Sequence, residues 1–375
     1  MTLLLSDEQE VLRASLRKAI DAECPTESVQ VFVDSSGTTS PGRSHDGLAD
    51  VLASQMGVTG IGIPGSYGGA DSSLSDLAVV MEELGRSLAV APFLSSTVLG
   101  AQALLALDDE SARAELLPAI AQGTITVAVA LRDDTSPSAG VRSTSNGLSG
   151  SVSMVLDGAW SDLIIVEAID DAGTPVFHLV DADATGLVRT SLTTADPTRA
   201  FARLDFDAVP SRELAASDSR RSRERIVDHF AYAVAAEQLG GIERCVEITA
   251  DYATLRYQFG RPIGSYQGVK HRLADMYVVS RLATALVRDA GRLAHDPAEF
   301  SLAARSAFAY TSRHYLPVAR DMIQLHGGIA YTWEHVAHLY YKRARVSSQF
   351  LGGHEGQTDV VADLLGYHDP AGEVQ

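Results

Sequence analysis

The chain has 375 residues, 46% of them hydrophobic, with 48 acidic against 30 basic side chains and a formal charge of −18. That length is enough for two or three domains or one multilayer unit with a sizeable core. The acidity argues against a nucleic-acid binder, which would carry a basic stripe. No apolar run approaches the roughly 20 residues of a membrane-spanning helix. The N-terminus lacks the basic start and small-residue cleavage site of a secretory signal. Two cysteines, Cys24 and Cys245, argue against a disulfide framework and fit a reducing cytoplasm.

From the start, Leu5, Leu12, Leu16 and Ile20 recur at helical spacing, and Ser6-Asp7-Glu8-Gln9 has the form of a helix-capping start. Residues 25 to 45, rich in Ser, Thr, Gly and Pro, read as a loop, and Leu48, Val51 and Leu52 open another helix. Gly60-Ile61-Gly62-Ile63-Pro64-Gly65 matches GxGxxG formally. The dinucleotide fingerprint needs a strand before it and a helix opening within it. Here a helical pattern precedes and Pro64 follows, so the stretch reads as a turn. Helical patterns continue over Leu74 to Arg86, Pro92 to Ala106 and Glu110 to Ile120.

After Gly123 the periodicity changes. Thr124 to Leu131, Val152 to Leu156, Leu163 to Ala168, Pro175 to Val180 and Ala200 to Phe206 are short, β-type and separated by turn residues. They predict a small antiparallel barrel or sandwich. From Arg221 to Leu255 the pattern is helical without a proline, and it ends at Arg256-Tyr257-Gln258-Phe259-Gly260-Arg261-Pro262. Helices follow over Gln267 to about Leu293, Phe300 to Leu325 and Val336 to Ala344. The predicted organisation is α+β, with an α-helical domain over 1–123, a β domain over 124–215 and a helical-bundle domain over 216–375.

Basic residues gather in Arg220-Arg221-Ser222-Arg223, in Arg256 to Arg272 and in Lys342-Arg343-Ala344-Arg345. On an acidic chain, such spots could hold an anionic cofactor or substrate. Arg256 offers a planar fork of donors to a pyrophosphate. Gln267 stands at a helix start, where the dipole favours an anion. Gly327-Gly328 lets backbone N–H groups approach phosphate oxygens, with Gln324 about one turn earlier. His335 and His338 share a helical face, but no further metal ligand is placed beside them, and no metal is expected.

Three stretches carry a family resemblance. They are Arg256 to Gly260 continued by Gln267 to Met276, then Gln324-Leu325-His326-Gly327-Gly328-Ile329-Ala330-Tyr331-Thr332-Trp333-Glu334, and Ile63 to Gly69 followed by Met81-Glu82-Glu83-Leu84-Gly85-Arg86. Here, and in its α–β–α order, the chain resembles the flavin-dependent acyl-CoA dehydrogenases, and within them the actinobacterial branch acting on steroid side chains and other bulky acyl groups. The resemblance implies N-terminal helices, a middle β-barrel or sandwich and a C-terminal four-helix bundle. It also implies FAD, whose ADP half lies at a subunit interface, and it assigns Arg256, Phe259, Gln267, Gln324, Gly327 and Gly328 to that cofactor. Further implications are an acyl-CoA substrate, a trans-2-enoyl-CoA product, an electron-transfer acceptor protein and an oligomer, either a homo-oligomer or α2β2 with a second chain of the same family.

The pattern breaks at the flavin ring and at the base. The family's Thr-Glu-Pro position reads Ala130-Leu131-Arg132-Asp133-Asp134-Thr135-Ser136-Pro137, and Gly150 to Leu156 lacks the Trp-Ile-Thr strand, with Trp160 following in a turn-like setting. The family's catalytic glutamate falls at about Leu351-Gly352, and its alternative position falls on Phe230. Glu237, two helical turns after Phe230 in an apolar run, is one remaining candidate base, since burial would raise its pKa. Glu355 is the other. Two main readings follow: an active dehydrogenase using Glu237 or Glu355, or a non-catalytic partner subunit that lends the ADP-binding residues while a second chain supplies flavin pocket and base. A flavin-free binding protein on the same fold is the third.

Overall fold

The computed structural model describes residues 3–25, 29, 47–132 and 140–367. Most of the loop expected over 25–45 lies outside them. Helix α1 (Asp7–Glu23) begins at the expected cap: Ser6 Oγ accepts from Gln9 N, and Gln9 Oε1 accepts from Ser6 N, each at 3.2 Å. A short helix at Leu48–Asp50 runs into a π-helical turn, Val51–Gln55. The glycine-rich Gly60–Gly65 stretch forms tight turns between helices, with no strand before it. Helix α2 (Leu74–Ser87) opens on a second capping box, Ser73 with Asp76. Phe93–Gly100 is π-helical and continues into α3 (Ala101–Ala106), and α4 (Glu110–Ala121) is capped by Asp109.

The middle of the chain forms one sheet: β1 (Val127–Ala130), β2 (Gly140–Thr144), β3 (Gly147–Leu156), β4 (Leu163–Ile169), β5 (Pro175–Asp181), β6 (Leu187–Leu192), β7 (Phe201–Val209) and β8 (Arg212–Leu214). Its order is β6-β7-β3-β2-β4-β5-β8, with β1 beside β4. The sheet is mixed rather than purely antiparallel. One edge of β4 takes β1 in parallel at Val127↔Leu163 to Ala130↔Val166, and then β2 in parallel at Val141↔Ala168. Strands β2, β6 and β8 were not foreseen. No residue of β6 is buried, so it lacks the apolar-in, polar-out alternation that reveals a half-buried strand.

Helix α5 (Ser219–Leu255) runs 37 residues through the centre of the C-terminal region, where α6 (Gln267–Arg292) and α7 (Pro297–His326) pack against it. Helices α8 (Ala337–Ser347) and α9 (Gly353–Leu364) complete the group. Helix α2 crosses α5 at two glycines. A β-carbon on Gly85 would overlap the Glu237 carbonyl, and one on Gly240 would overlap the Glu82 carbonyl. Helix α2 is consequently buried nearly all round, acids included. Glu82 accepts from Arg13 and from Arg288, and Glu83 from Arg17 at 2.7 Å. The Met81 to Arg86 stretch is thus a crossing point with its charges neutralised by neighbouring helices.

Gly240→Ala is expected to destabilise the protein by about 2–3 kcal/mol, the usual range for forced overpacking. Gly268→Ala, which meets open space on a helix, is expected to be neutral or stabilising by less than about 1 kcal/mol. Urea denaturation of the two variants separates these outcomes.

Candidate functional site

One end of the helical region brings the expected phosphate-binding residues together. Arg256 follows the last turn of α5 and is exposed, with no ion pair to a described residue. Strands β9 (Tyr257–Gln258) and β10 (Arg261–Pro262) form a minimal hairpin. Phe259 and Gly260 are its two turn residues, with φ of 52° and 80°, the signs a type I′ turn requires. The Arg261 guanidinium lies over the Tyr266 ring at 4.0 Å, and Tyr266 Oη donates to Gln258 O at 3.0 Å. The hairpin is therefore braced, and Phe259, 93% exposed, projects from it.

Gln267 is the first residue of α6, and no side chain caps that helix. Val269 N donates to Tyr266 O at 3.1 Å, and the Gln267 and Gly268 N–H groups remain available to an acceptor. At the end of α7, Gln324 is exposed and Gly327 has φ 68° and ψ −142°, a conformation for which glycine is suited. Space is open beside both Gly327 and Gly328. Two contacts tie these termini to one another. Tyr252, one turn before Arg256, stacks on His326 at 4.3 Å and donates to its carbonyl at 3.3 Å. Arg272 of α6 pairs with Asp321 of α7 at 3.1 Å. Burial lowers the His326 pKa, and burial with His326 and His338 nearby pushes His335 down to about 4. Arg256, an uncapped helix start and an open Gly-Gly turn fit the anionic ADP half of a dinucleotide.

The flavin-ring and base region is built differently. Glu237 is buried on α5, with both carboxylate oxygens occupied. Arg199 Nη2 donates to one, and Arg343 Nη1 donates to the other at 2.9 Å. Arg343 also donates to Asp196 at 2.7 Å and to the Thr198 carbonyl at 3.1 Å. Burial works against the charge of Arg343, but Asp196 and Glu237 outweigh it and raise its pKa. Arg199 lies over the Phe350 ring at 5.5 Å, and Phe350 packs edge-on against Phe230 at 5.2 Å. The cleft left among Met81, Leu84, Phe93, Asp157, Arg199 and Glu237 holds only about 30 Å³. That is room for about one water molecule, where small-molecule pockets run to roughly 300 Å³ and more. An isoalloxazine ring with an acyl group beside it does not fit.

The other expected positions lie apart from this cleft or are already occupied. Glu355 is exposed in the first turn of α9. Its neighbour Gln357 turns inward instead, donating to Leu351 O at 2.7 Å and accepting from Arg305 at 2.9 Å. Leu351 begins three consecutive residues of positive φ, at 56°, 78° and 73°. The family's base position thus falls in a tight loop and holds a leucine. Residues 133–137 of the Thr-Glu-Pro position lie outside the described residues. Of the basic clusters, Arg223 pairs with Glu167 at 3.1 Å and Arg343 is committed to the Glu237 network, while Arg220, Arg221, Arg256 and Arg345 are exposed.

Asp196, Thr198, Arg199 and Asp157 were not found by sequence reading. Asp196-Pro197-Thr198 has the composition of a side-chain-stabilised turn, but nothing local indicates that it packs on α5 and α8. Asp157, at φ 54°, lies partly buried beside Ser95, whose hydroxyl donates to it. Burial pushes its carboxyl from the ordinary 3.8 up to about 6, against the opposing pulls of Ser95 and Arg199.

Fold and residues define a flavoprotein of the α–β–α acyl-CoA dehydrogenase class. The family model described as acyl-CoA dehydrogenase, N-terminal domain, matches residues 6–124, and the one for the C-terminal domain matches 221–366. The chain belongs to the acyl-CoA dehydrogenase family, whose cofactor is FAD. It is 35% identical to the acyl-CoA dehydrogenase IpdE2 of Mycobacterium tuberculosis, covering 92% of this chain and 93% of that one. The crystal structure of the ChsE4-ChsE5 complex from Mycobacterium tuberculosis superposes with TM-score 0.87 at 26% identity, over 98% of this chain and 100% of that one. A variant of the Tcur3481-Tcur3483 steroid ACAD superposes with TM-score 0.85 at 29% identity, over 97% and 99%. These relatives align the chain with the actinobacterial steroid branch.

Arg343→Met takes one cationic partner from Asp196 and one from Glu237, leaving each buried carboxylate with Arg199, so a loss of about 3–5 kcal/mol is expected in urea denaturation. Asp157 adds a pH dependence. Its folded pKa lies above its unfolded value, so its stabilising contribution is complete below pH 3.8 and is lost as pH rises through about 6. Asp157→Asn is therefore expected to exceed the parent in stability by up to about 3 kcal/mol near pH 8, with the difference closing near pH 4. Denaturation midpoints at the two pH values test this.

Proposed function

We propose that this chain is the non-catalytic partner subunit of a mixed, cytoplasmic acyl-CoA dehydrogenase of α2β2 form. It lends Arg256, Phe259, Gln267, Gln324, Gly327 and Gly328 to the ADP half of an FAD, and a second chain of the family supplies the ring pocket and the base. The assembled enzyme converts an acyl-CoA thioester to a trans-2-enoyl-CoA and passes electrons to an acceptor protein. FAD, when bound, takes the hydride from the β-carbon of the thioester. Arg256 neutralises and orients pyrophosphate, the Gly327-Gly328 turn lets backbone N–H groups reach it, and the α6 N-terminus adds its dipole.

The observation that carries this reading is the closed cleft at Glu237. A general base needs a free oxygen within hydrogen-bond reach of the proton it removes, and Arg199 and Arg343 occupy both oxygens. An exposed apolar surface supports the oligomer. Leu255, Tyr257, Phe259, Tyr331 and Trp333 all stand out in solvent around the ADP-binding end, and apolar surface of this extent marks interaction sites. No helix among the described residues is long and apolar enough to cross a membrane. ChsE4-ChsE5 and Tcur3481-Tcur3483 are both described as pairs of chains.

Expressed alone, the chain is expected to be colourless, and co-expressed with its partner it is expected to carry flavin absorbance at one FAD per pair of chains. In the complex, Arg256→Ala is expected to weaken FAD retention by about tenfold or more, the worth of a charge-assisted hydrogen bond. Glu237→Gln is expected to leave turnover per assembled complex unchanged. Yellow protein from the single chain, reducing an acceptor with acyl-CoA and silenced by Glu237→Gln, would overturn the proposal in favour of an active dehydrogenase with its own base.

A further inference from the structure

A second cavity lies between the N-terminal helices and the start of β1. It encloses about 340 Å³, at the lower end of the small-molecule range. Leu52, Ala53, Thr59, Phe93, Thr97 and Ile120 are among its walls, and no described lining residue is charged. Most of its hydroxyls are spent on the protein itself. Thr59 donates to Ala121 O at 2.7 Å, Thr124 to Ala119 O at 3.0 Å and Thr126 to Asp162 at 2.8 Å, while Ser96 Oγ accepts from Val127 N at 3.1 Å. Thr97 is the exception, with no hydrogen bond to a described residue. The interior thus presents methyl groups, one phenyl ring, the Thr97 hydroxyl and the remaining O–H donor of Ser96.

The backbone points to the same place. Among the described residues, the two π-helical stretches are Val51–Gln55 and Phe93–Gly100. Both line this cavity, through Leu52 and Ala53 on one side and Phe93, Ser96 and Thr97 on the other. A π turn carries more residues per turn than an α turn, is rare, and concentrates at functional sites.

We propose that this cavity is a ligand site for a compact, neutral, mostly hydrocarbon molecule bearing one acceptor oxygen, which Thr97 Oγ1 meets. Apolar burial supplies most of the affinity, and the uncharged wall rejects phosphates and carboxylates, which would be desolvated without a partner. The site is separate from the cleft at Glu237 and holds whether or not a second chain carries the flavin ring.

The test uses 6-bromo-1-tetralone, a neutral bicyclic ketone, with the full chain alone or in its complex. Bromine anomalous density in crystals is expected between Phe93 and Ile120, and the melting temperature is expected to rise with ketone concentration. Ala53→Leu and Ala49→Leu, which fill the space, are each expected to abolish that rise. Thr97→Val is expected to weaken the ketone by about 3–10-fold and to leave 6-bromotetralin, which lacks the carbonyl, unchanged. Bromine elsewhere or absent, or a thermal shift that persists in both leucine variants, overturns the proposal. Should a leucine variant fail to fold, the bromine position in the parent decides.

Discussion

The buried ion network around Glu237 is the constraint on which the rest of the structure depends. Two arginines and two carboxylates, Arg199, Arg343, Asp196 and Glu237, meet in one closed space. They come from the loop before β7, from α5 and from α8, so the network fastens the sheet to the helices. Buried charges are costly singly and better tolerated as a mutually paired set. This set balances its formal charges and also engages the Thr198 hydroxyl and carbonyl. The guanidinium of Arg199 and the ring of Phe350 then occupy volume that an open flavin-and-substrate pocket would need.

The glycine crossing makes that network possible. Gly85 and Gly240 let α2 and α5 touch backbone to backbone, which places Glu237 close against α2. Close packing on this scale transmits strain and leaves few voids. Against that background, a 340 Å³ cavity beside two π-helical stretches is a departure from local packing. The cleft at Glu237 and this cavity share Phe93 and Ala91 as lining residues, so one element borders a closed space and an open one.

Much of the fold was legible because its signals are local. The Ser6 cap, the unbroken helical pattern of α5 and the irregular chain through Gly60–Gly65 all depend on neighbours a few residues away. The helix ends that carry Arg256, Gln267, Gln324, Gly327 and Gly328 were legible for the same reason. Strands β2, β6 and β8 were missed for the opposite reason. They are short, partly exposed, and depend on pairing with distant strands, as β8 does with β5 at Phe177↔Leu214. Helix α9 was not foreseen, although Gln357 on it is buried against Arg305.

By itself, the sequence determined the α–β–α order, the family, and the absence of a carboxylate at the two places where the family keeps its base, Leu351 and Phe230. These follow from residue identity and short-range periodicity. Only the tertiary structure decided what became of Glu237. Its burial could be foreseen from the apolar run around it, but its partners, Arg199 and Arg343, lie far away in the chain. Whether a buried carboxylate stands ready to take a proton or is locked in an ion pair depends on which charges folding brings within hydrogen-bond distance. That is a property of packing, and no spacing along the chain encodes it.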